Sequence, residues 1–241
     1  MRISRIFTEA LLQAEQLITL DEKASHYLSK VLRLKVDAPL ILFNGDGHQY
    51  PSTIAAVDKK TVSVRTERCE IVDVESPLST HLGIALSKGD RMDLVMQKAT
   101  ELGVTAITPL LSERSEVKLK GERADKKQQH WQQILISSCE QCGRNKIPQL
   151  NPIQTIDSWT ESVQADKKLV LHHRSDHRID PTETVSSVAI LIGPEGGLSE
   201  REIQAAQQKQ FAPLTLGPRV LRTETAPLVA LAILQQAWGD F

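Results

Sequence analysis

The chain changes its hydrophobic rhythm near residue 70. Before that point, short apolar runs are cut by turn signals at strand-length intervals. Leu40-Ile41-Leu42-Phe43 is one such run, and Asn44-Gly45-Asp46-Gly47 behind it marks a turn, because Asn and Gly tolerate positive φ. Residues 53–57 and 61–64, separated by Asp58-Lys59-Lys60, predict a second hairpin. One helix interrupts them over 21–32. Asp21 can cap its N-terminus, and Ala24, Tyr27, Leu28, Val31 and Leu32 fall at helical spacing on one face. Residues 1–70 therefore predict a small β-barrel with a helix across it. Residues 71–79 lose periodicity and contain Ser76-Pro77, so they read as a linker.

From residue 80 to 241 strands and helices alternate. Strands are predicted at 81–86, 104–111, 169–171 and 188–192, and helices at 90–102 (ended by Gly103) and 123–141. Trp131, Ile134, Leu135 and Ser138 share one side of the second helix. Val188-Ala189-Ile190-Leu191-Ile192 is apolar without alternation, as strands buried on both faces are. The alternation predicts an α/β domain with a parallel sheet. Ser199-Glu200-Arg201-Glu202 has capping-box spacing and opens a Gln-rich, exposed helix to about residue 210. The last helix, 226–238, is apolar nearly all round, which predicts burial in a core or against a second copy.

Composition narrows the classes. With 29 Lys+Arg against 30 Asp+Glu, a globally basic nucleic-acid binder is not indicated, and any RNA site must be local. No apolar run reaches membrane-span length, the first residues carry no secretory pattern, and three cysteines make no disulfide framework. A cytoplasmic protein is expected. Cys139-Glu140-Gln141-Cys142 lies late in a helix without a partner pair, and His172-His173-Arg174-Ser175-Asp176-His177 reads as a strand end running into a polar loop. Neither is read as a metal site.

Two strings remain that core-building does not explain. Ile192-Gly193-Pro194-Glu195-Gly196-Gly197-Leu198-Ser199 and Leu216-Gly217-Pro218-Arg219-Val220-Leu221-Arg222-Thr223-Glu224-Thr225-Ala226-Pro227 each run from an apolar strand through Gly-Pro into a helix. The first has neither the Walker ending nor the dinucleotide fingerprint. Together they predict a small-molecule cleft rich in backbone donors and acceptors. Thr225 and Pro227 suit a cap and first turn. Arg222 and Glu224 have no structural requirement behind them in the sequence.

These two strings resemble the RsmE family, bacterial methyltransferases that act on N3 of one uridine in small-subunit (16S) ribosomal RNA. The resemblance spans the chain. Val31-Leu32-Arg33-Leu34 and Phe43-Asn44-Gly45 match its N-terminal PUA-like domain. Lys98-Ala99-Thr100-Glu101-Leu102-Gly103-Val104, Glu113-Arg114-Ser115, and Glu140-Gln141 with Arg144 match its middle. It implies a C-terminal SPOUT fold whose trefoil knot forms the S-adenosyl-L-methionine site, and a homodimer with the site near the interface.

The resemblance also implies roles. His172, Leu191, Gly193, Pro194, Glu195, Gly196, Leu216, Gly217, Leu221, Arg222, Thr225 and Ala226 would hold the cofactor, with backbone groups prominent. Uracil N3 must lose a proton, so Arg222 is the candidate for charge stabilisation and Glu224 for positioning or proton acceptance. No metal is required, because the sulfonium methyl is already activated. Residues 112–146 carry eight Lys+Arg against five Asp+Glu. Arg5, Arg33, Arg91, Arg114 and Arg144 are the candidates for RNA phosphate contact. With few aromatics, recognition by shape and backbone with one flipped base is expected. The rival readings are a ribose 2′-O methyltransferase of the same fold and a non-catalytic RNA-binding or assembly protein.

Overall fold

The computed structural model describes residues 3–117, 119–172 and 179–241. It divides into two units, Met1–Glu75 with Cys139–Ile147, and Ser76–Ser138 with Pro148–Phe241.

The first unit is a six-stranded sheet in the order β1(Ser4–Phe7), β3(Pro39–Phe43), β4(His48–Val57), β5(Val62–Thr66), β2(Leu17–Thr19), with β6(Glu70–Ile71) on the far end of β4. Both predicted hairpins are present and antiparallel, while β1 joins β3 in parallel. Gly45 and Gly47, at φ +92° and +94°, turn the chain between β3 and β4. Asp21 caps α1(Glu22–His26), its carboxylate accepting the Ala24 amide at 2.7 Å.

The predicted apolar face of this helix is only partly right. Residues Tyr27–Val31 continue it as a π-helical turn. The inserted residue rotates the end of the helix, so Tyr27 and Val31 are exposed while Ser25 and Leu28 are buried. Ser25 is tolerated inside because its hydroxyl donates to the Leu20 carbonyl and accepts the Val62 amide.

The second unit is a parallel seven-stranded sheet. Its order is β10(Gln154–Thr155), β8(Ala106–Leu111), β7(Ser79–Ala85), β12(Ser187–Ile192), β11(Lys167–Leu171), β13(Ala212–Leu214), with β9(Gln149–Leu150) also on β8. β12 is buried along its length, as its unbroken apolar run predicts. Ala189 and Leu191 join one cluster with Trp159 of α4(Ile156–Ser162) and with Ile203 and Ala206 of α5(Glu200–Gln208). The alternate residues Val188, Ile190 and Ile192 are equally buried on the other face.

Two expectations are corrected. The helix α5 is not simply exposed: Glu202, Ile203 and Ala206 are buried on one side. The last helix, α6(Thr225–Trp238), packs against α2(Arg91–Glu101), but it is capped by Glu224 without a side-chain bond rather than by Thr225. Its face carrying Pro227, Ala230, Leu231, Leu234 and Gln235 is buried, whereas Ile233 is exposed. Gln235 is admitted to that apolar face by bonds to Ser76 and to the Leu102 carbonyl.

Candidate active site

Within the second unit, β12 follows β11 in the chain and β13 follows β12, yet β12 and β13 lie on opposite sides of β11. The connection therefore reverses across β11. Ligands of open parallel sheets bind at the carboxyl ends of strands near such reversals. Here the carboxyl ends of all three strands, Leu171, Ile192 and Leu214, open into one cleft of about 320 Å³.

The first wall is the loop leaving β12. Gly193 has no room for a side chain: a Cβ would meet both Cγ and the amide nitrogen of Leu198 at 2.9 Å. The Gly197 amide closes a turn on the Pro194 carbonyl at 2.8 Å, with Gly197 at φ +68°. Ser199 then starts α5 in a full capping box with Glu202. Glu202 is almost wholly buried, and its carboxylate accepts the amides of Ser199 and Glu113 and the hydroxyl of Ser112. One carboxylate thus fixes the loop after β12 to the loop after β8.

The second wall leaves β13. The His172 amide donates to the Leu214 carbonyl, and the Thr215 hydroxyl donates to the His172 carbonyl at 2.8 Å. Gly217 turns at φ +105°, and the chain runs through exposed Arg219 and Val220 to the buried Thr223. The Arg222 carbonyl accepts the amides of Thr225 and Ala226, which opens α6.

Of the residues expected to hold a cofactor, His172, Gly193, Pro194, Glu195, Gly196, Leu216, Gly217, Leu221 and Ala226 line the cleft. Leu191, Arg222 and Thr225 are not among its lining. Leu191 turns into the core cluster of α4 and α5, Arg222 is exposed, and Thr225 begins α6. Thr215, Arg219 and Thr223 also line it, and the sequence does not single them out. Arg219 stands in plain view within the second string. Thr223 lies in the polar run 222–225, but nothing in the sequence marks it as buried against the cleft. The run 173–178, which includes most of the histidine-rich string, lies outside the described residues.

Charged side chains brace the cleft from outside. Arg91 pairs with Glu195 and, at 3.4 Å, with Glu224. Glu195 also accepts the Lys88 amide. Burial works against its charge, but the bonds from its own amide, Lys88 and Arg91 outweigh that and lower its pKa. Arg114 donates to the carbonyls of Gly196 at 3.1 Å and Leu198 at 3.2 Å. The guanidinium of Arg222 has no partner among the described residues, and its charge faces solvent.

The expected phosphate contacts divide accordingly. Arg91 and Arg114 are anchored to the first loop. In the first unit, Arg144 is buried against Glu75, and Arg5 bonds Gln49, Asn145 and the Arg144 carbonyl while lying over the Phe43 ring. Both are thus engaged within that unit, Arg144 in its interior and Arg5 half-buried. Arg33 is exposed, at φ +55°, directly after the π-helical turn.

Comparison with known proteins gives consistent findings. Residues 74–235 match a family described as an RNA methyltransferase domain, and residues 20–67 match an RNA methyltransferase PUA domain. The chain is 40% identical over 241 residues to ribosomal RNA small subunit methyltransferase E of Buchnera aphidicola subsp. Schizaphis graminum, covering 99% of this chain and 98% of that protein. The Bacillus subtilis protein of the same name is 32% identical over 219 residues, covering 87% and 86%. Two solved structures superpose over the full length of both chains. One is a methyltransferase of Legionella pneumophila in complex with SAM, 43% identical with a TM-score of 0.96. The other is ribosomal RNA small subunit methyltransferase E of Neisseria gonorrhoeae bound to S-adenosyl methionine, 36% identical with a TM-score of 0.93.

Proposed function

Because the chain belongs to the RsmE family of RNA methyltransferases, we propose that it transfers a methyl group from S-adenosylmethionine to N3 of one uridine in the 16S rRNA of the small ribosomal subunit. The observation that carries this reading is the cleft at the carboxyl ends of β11, β12 and β13. Its volume of about 320 Å³ suits a nucleoside-sized ligand. Its walls combine the apolar side chains of Leu171, Ile192, Leu214, Leu216 and Leu221 with exposed backbone at Gly193, Gly196 and Gly217. A flat apolar base and a polar amino-acid tail need that combination, and glycine lets backbone groups approach such a ligand closely.

When bound, S-adenosylmethionine supplies a methyl group already activated on a sulfonium. The chain's own residues bind, orient and manage one proton. The backbone of Gly193 to Leu198 and of Thr215 to Leu221 would hold the ligand between two loops, with Arg219 as a cation at its edge. Uracil N3 loses its proton as it attacks, leaving negative charge on the ring. Arg222, with a guanidinium that no other described side chain engages, would stabilise that anion. Glu224 has its carboxylate committed to Arg91, which favours positioning over proton acceptance.

The partly exposed outer side of α6, with Ile233 at its centre, supports pairing of two chains. Among the described residues no helix is long and apolar enough to cross a membrane, which is compatible with work on ribosomal subunits in the cytoplasm. The deciding experiment is methyl transfer from labelled cofactor to small subunits, and to free 16S rRNA, from a strain lacking this protein. Digestion and mass spectrometry should find the label in N3-methyluridine. Label in a 2′-O-methyl nucleotide, or no transfer and no cofactor binding in calorimetry, would overturn the proposal.

A further inference from the structure

We infer that Arg91 is a positioning residue that ties the two loops of the cofactor cleft to each other, gripping Glu195 of the first and Glu224 of the second with one guanidinium. The inference rests on the methyltransferase reading for its consequence, but its geometry is independent of it. Arg91 is the first residue of α2, so it projects from a rigid element. Glu195 stands in the loop after β12 and lines the cleft. Glu224 caps α6, the helix that packs on α2.

Two features mark this as more than a surface pair. Glutamate is a poor choice for an N-cap, and Glu224 makes no side-chain capping bond there. Its carboxylate is turned to Arg91 instead, so the residue type is explained by the tie and not by the helix. Glu195 is held a second time by the Lys88 amide at 3.1 Å, just ahead of α2. The approach to α2 and its first residue therefore both hold the first loop, and Arg91 extends the grip to the second.

Removing Arg91 would leave two carboxylates near one another with no cation between them, and they would repel. The guanidinium suits this task because its nitrogens point in separate directions, so two carboxylates can be served at once, which one ammonium does less well. The side chain of Arg91 is 36% exposed, so the pairs contribute little to global stability. Its loss should change the cleft and not the fold.

The test has two arms. Hydrogen exchange of the cofactor-free protein reads the tie itself. Arg91→Ala should speed exchange at least tenfold in both 193–198 and 221–226, and Glu195→Gln should speed it in 221–226, a loop to which residue 195 does not belong. A response confined to one loop, or to neither, overturns the inference. Calorimetry with S-adenosylmethionine reads the consequence. Arg91→Ala should weaken binding at least tenfold with an unchanged melting temperature, Arg91→Lys should recover only part of it, and Glu224→Gln should add nothing in the Arg91→Ala background. Unaltered affinity in Arg91→Ala, or independent multiplying effects, overturns the positioning role. If the parent protein itself binds no cofactor, the methyltransferase reading falls, while the exchange arm still decides the tie.

Discussion

Nε1 of Trp159 donates a hydrogen bond to Nε2 of His81 at 3.2 Å. Indole N–H is a donor only, so Nε2 must be an acceptor and the ring proton sits on Nδ1. Thr108 Oγ1 at 2.8 Å and Asn151 Nδ2 at 3.2 Å share the same nitrogen. Burial disfavours the imidazolium and lowers the His81 pKa from 6.5 to about 4. Protonation would also set two donors against each other. The folded pKa lies below the unfolded one, so the unfolded chain binds more protons between them. The contribution is complete above pH 6.5 and is lost as pH falls toward 4, a change on the order of 3 kcal/mol at most. Urea melts across this window should show stability falling with acid. His81→Asn should be weaker at neutral pH but flatter in its pH dependence by about one proton.

The two glycines of the first loop should respond differently to alanine. At Gly193 the added Cβ would stand 2.9 Å from the Leu198 backbone nitrogen, and backbone cannot step aside. At Gly197 nothing lies within 4 Å, and the obstacle is only the φ of +68°. Gly197→Ala should cost roughly 1–2 kcal/mol in local backbone strain and leave cofactor affinity within a few-fold. Gly193→Ala forces the turn itself to move, at about 1–3 kcal/mol of overpacking, and should weaken cofactor binding more than tenfold. Calorimetry on both variants, with melting temperatures as control, checks the contrast.

The parts legible in sequence are those where a local pattern has one physical solution. The unbroken run 188–192 is too short for a helix, rich in Val and Ile, and closed by Gly-Pro, which together select a buried strand, and Ser199 with Glu202 specifies the cap that follows the first wall. The features that escape depend on partners distant in the chain. Arg144 meets Glu75 across 69 positions, so nothing local distinguishes it from a cation waiting for phosphate. Glu202 is buried because donors arrive from Ser112 and Glu113, which a Gln-rich helix does not announce. The π-helical turn Tyr27–Val31 defeats the face assignment because the 3.6-residue period assumes no inserted residue.

Arg144 and Glu75 form a pair with side chains only 5% and 15% exposed, joined through Nε at 3.1 Å and a second contact through Nη2. Breaking such a pair leaves one buried charge uncompensated, typically at about 3–5 kcal/mol. Arg144→Met and Glu75→Leu should each destabilise the protein by that order. The double variant should be less destabilised than the sum, because both charges leave together. Denaturant melts of the four proteins form the cycle. Arg144→Met should thus lower rRNA methylation through folded fraction, and restoring that fraction at lower temperature should restore turnover.

Arg222 and Glu224 sit two residues apart, yet their surroundings differ. Arg222 is exposed, its guanidinium without a partner among the described residues, while Glu224 faces Arg91. If Arg222 stabilises the uracil anion, its contribution arises only as charge develops. Arg222→Ala should then lower kcat by roughly 10²–10³-fold, the scale found for loss of one such electrostatic group, with cofactor affinity nearly unchanged. Arg222→Lys keeps a cation and should recover part of the rate. Glu224→Gln should show the opposite split, a weaker grip on the cofactor with a smaller loss in kcat, because it removes a loop anchor. Single-turnover transfer to small subunits, with cofactor affinity measured separately, separates the two. Equal losses of affinity in both variants would remove the distinction and make Arg222, like Glu224, a residue that acts on the cofactor.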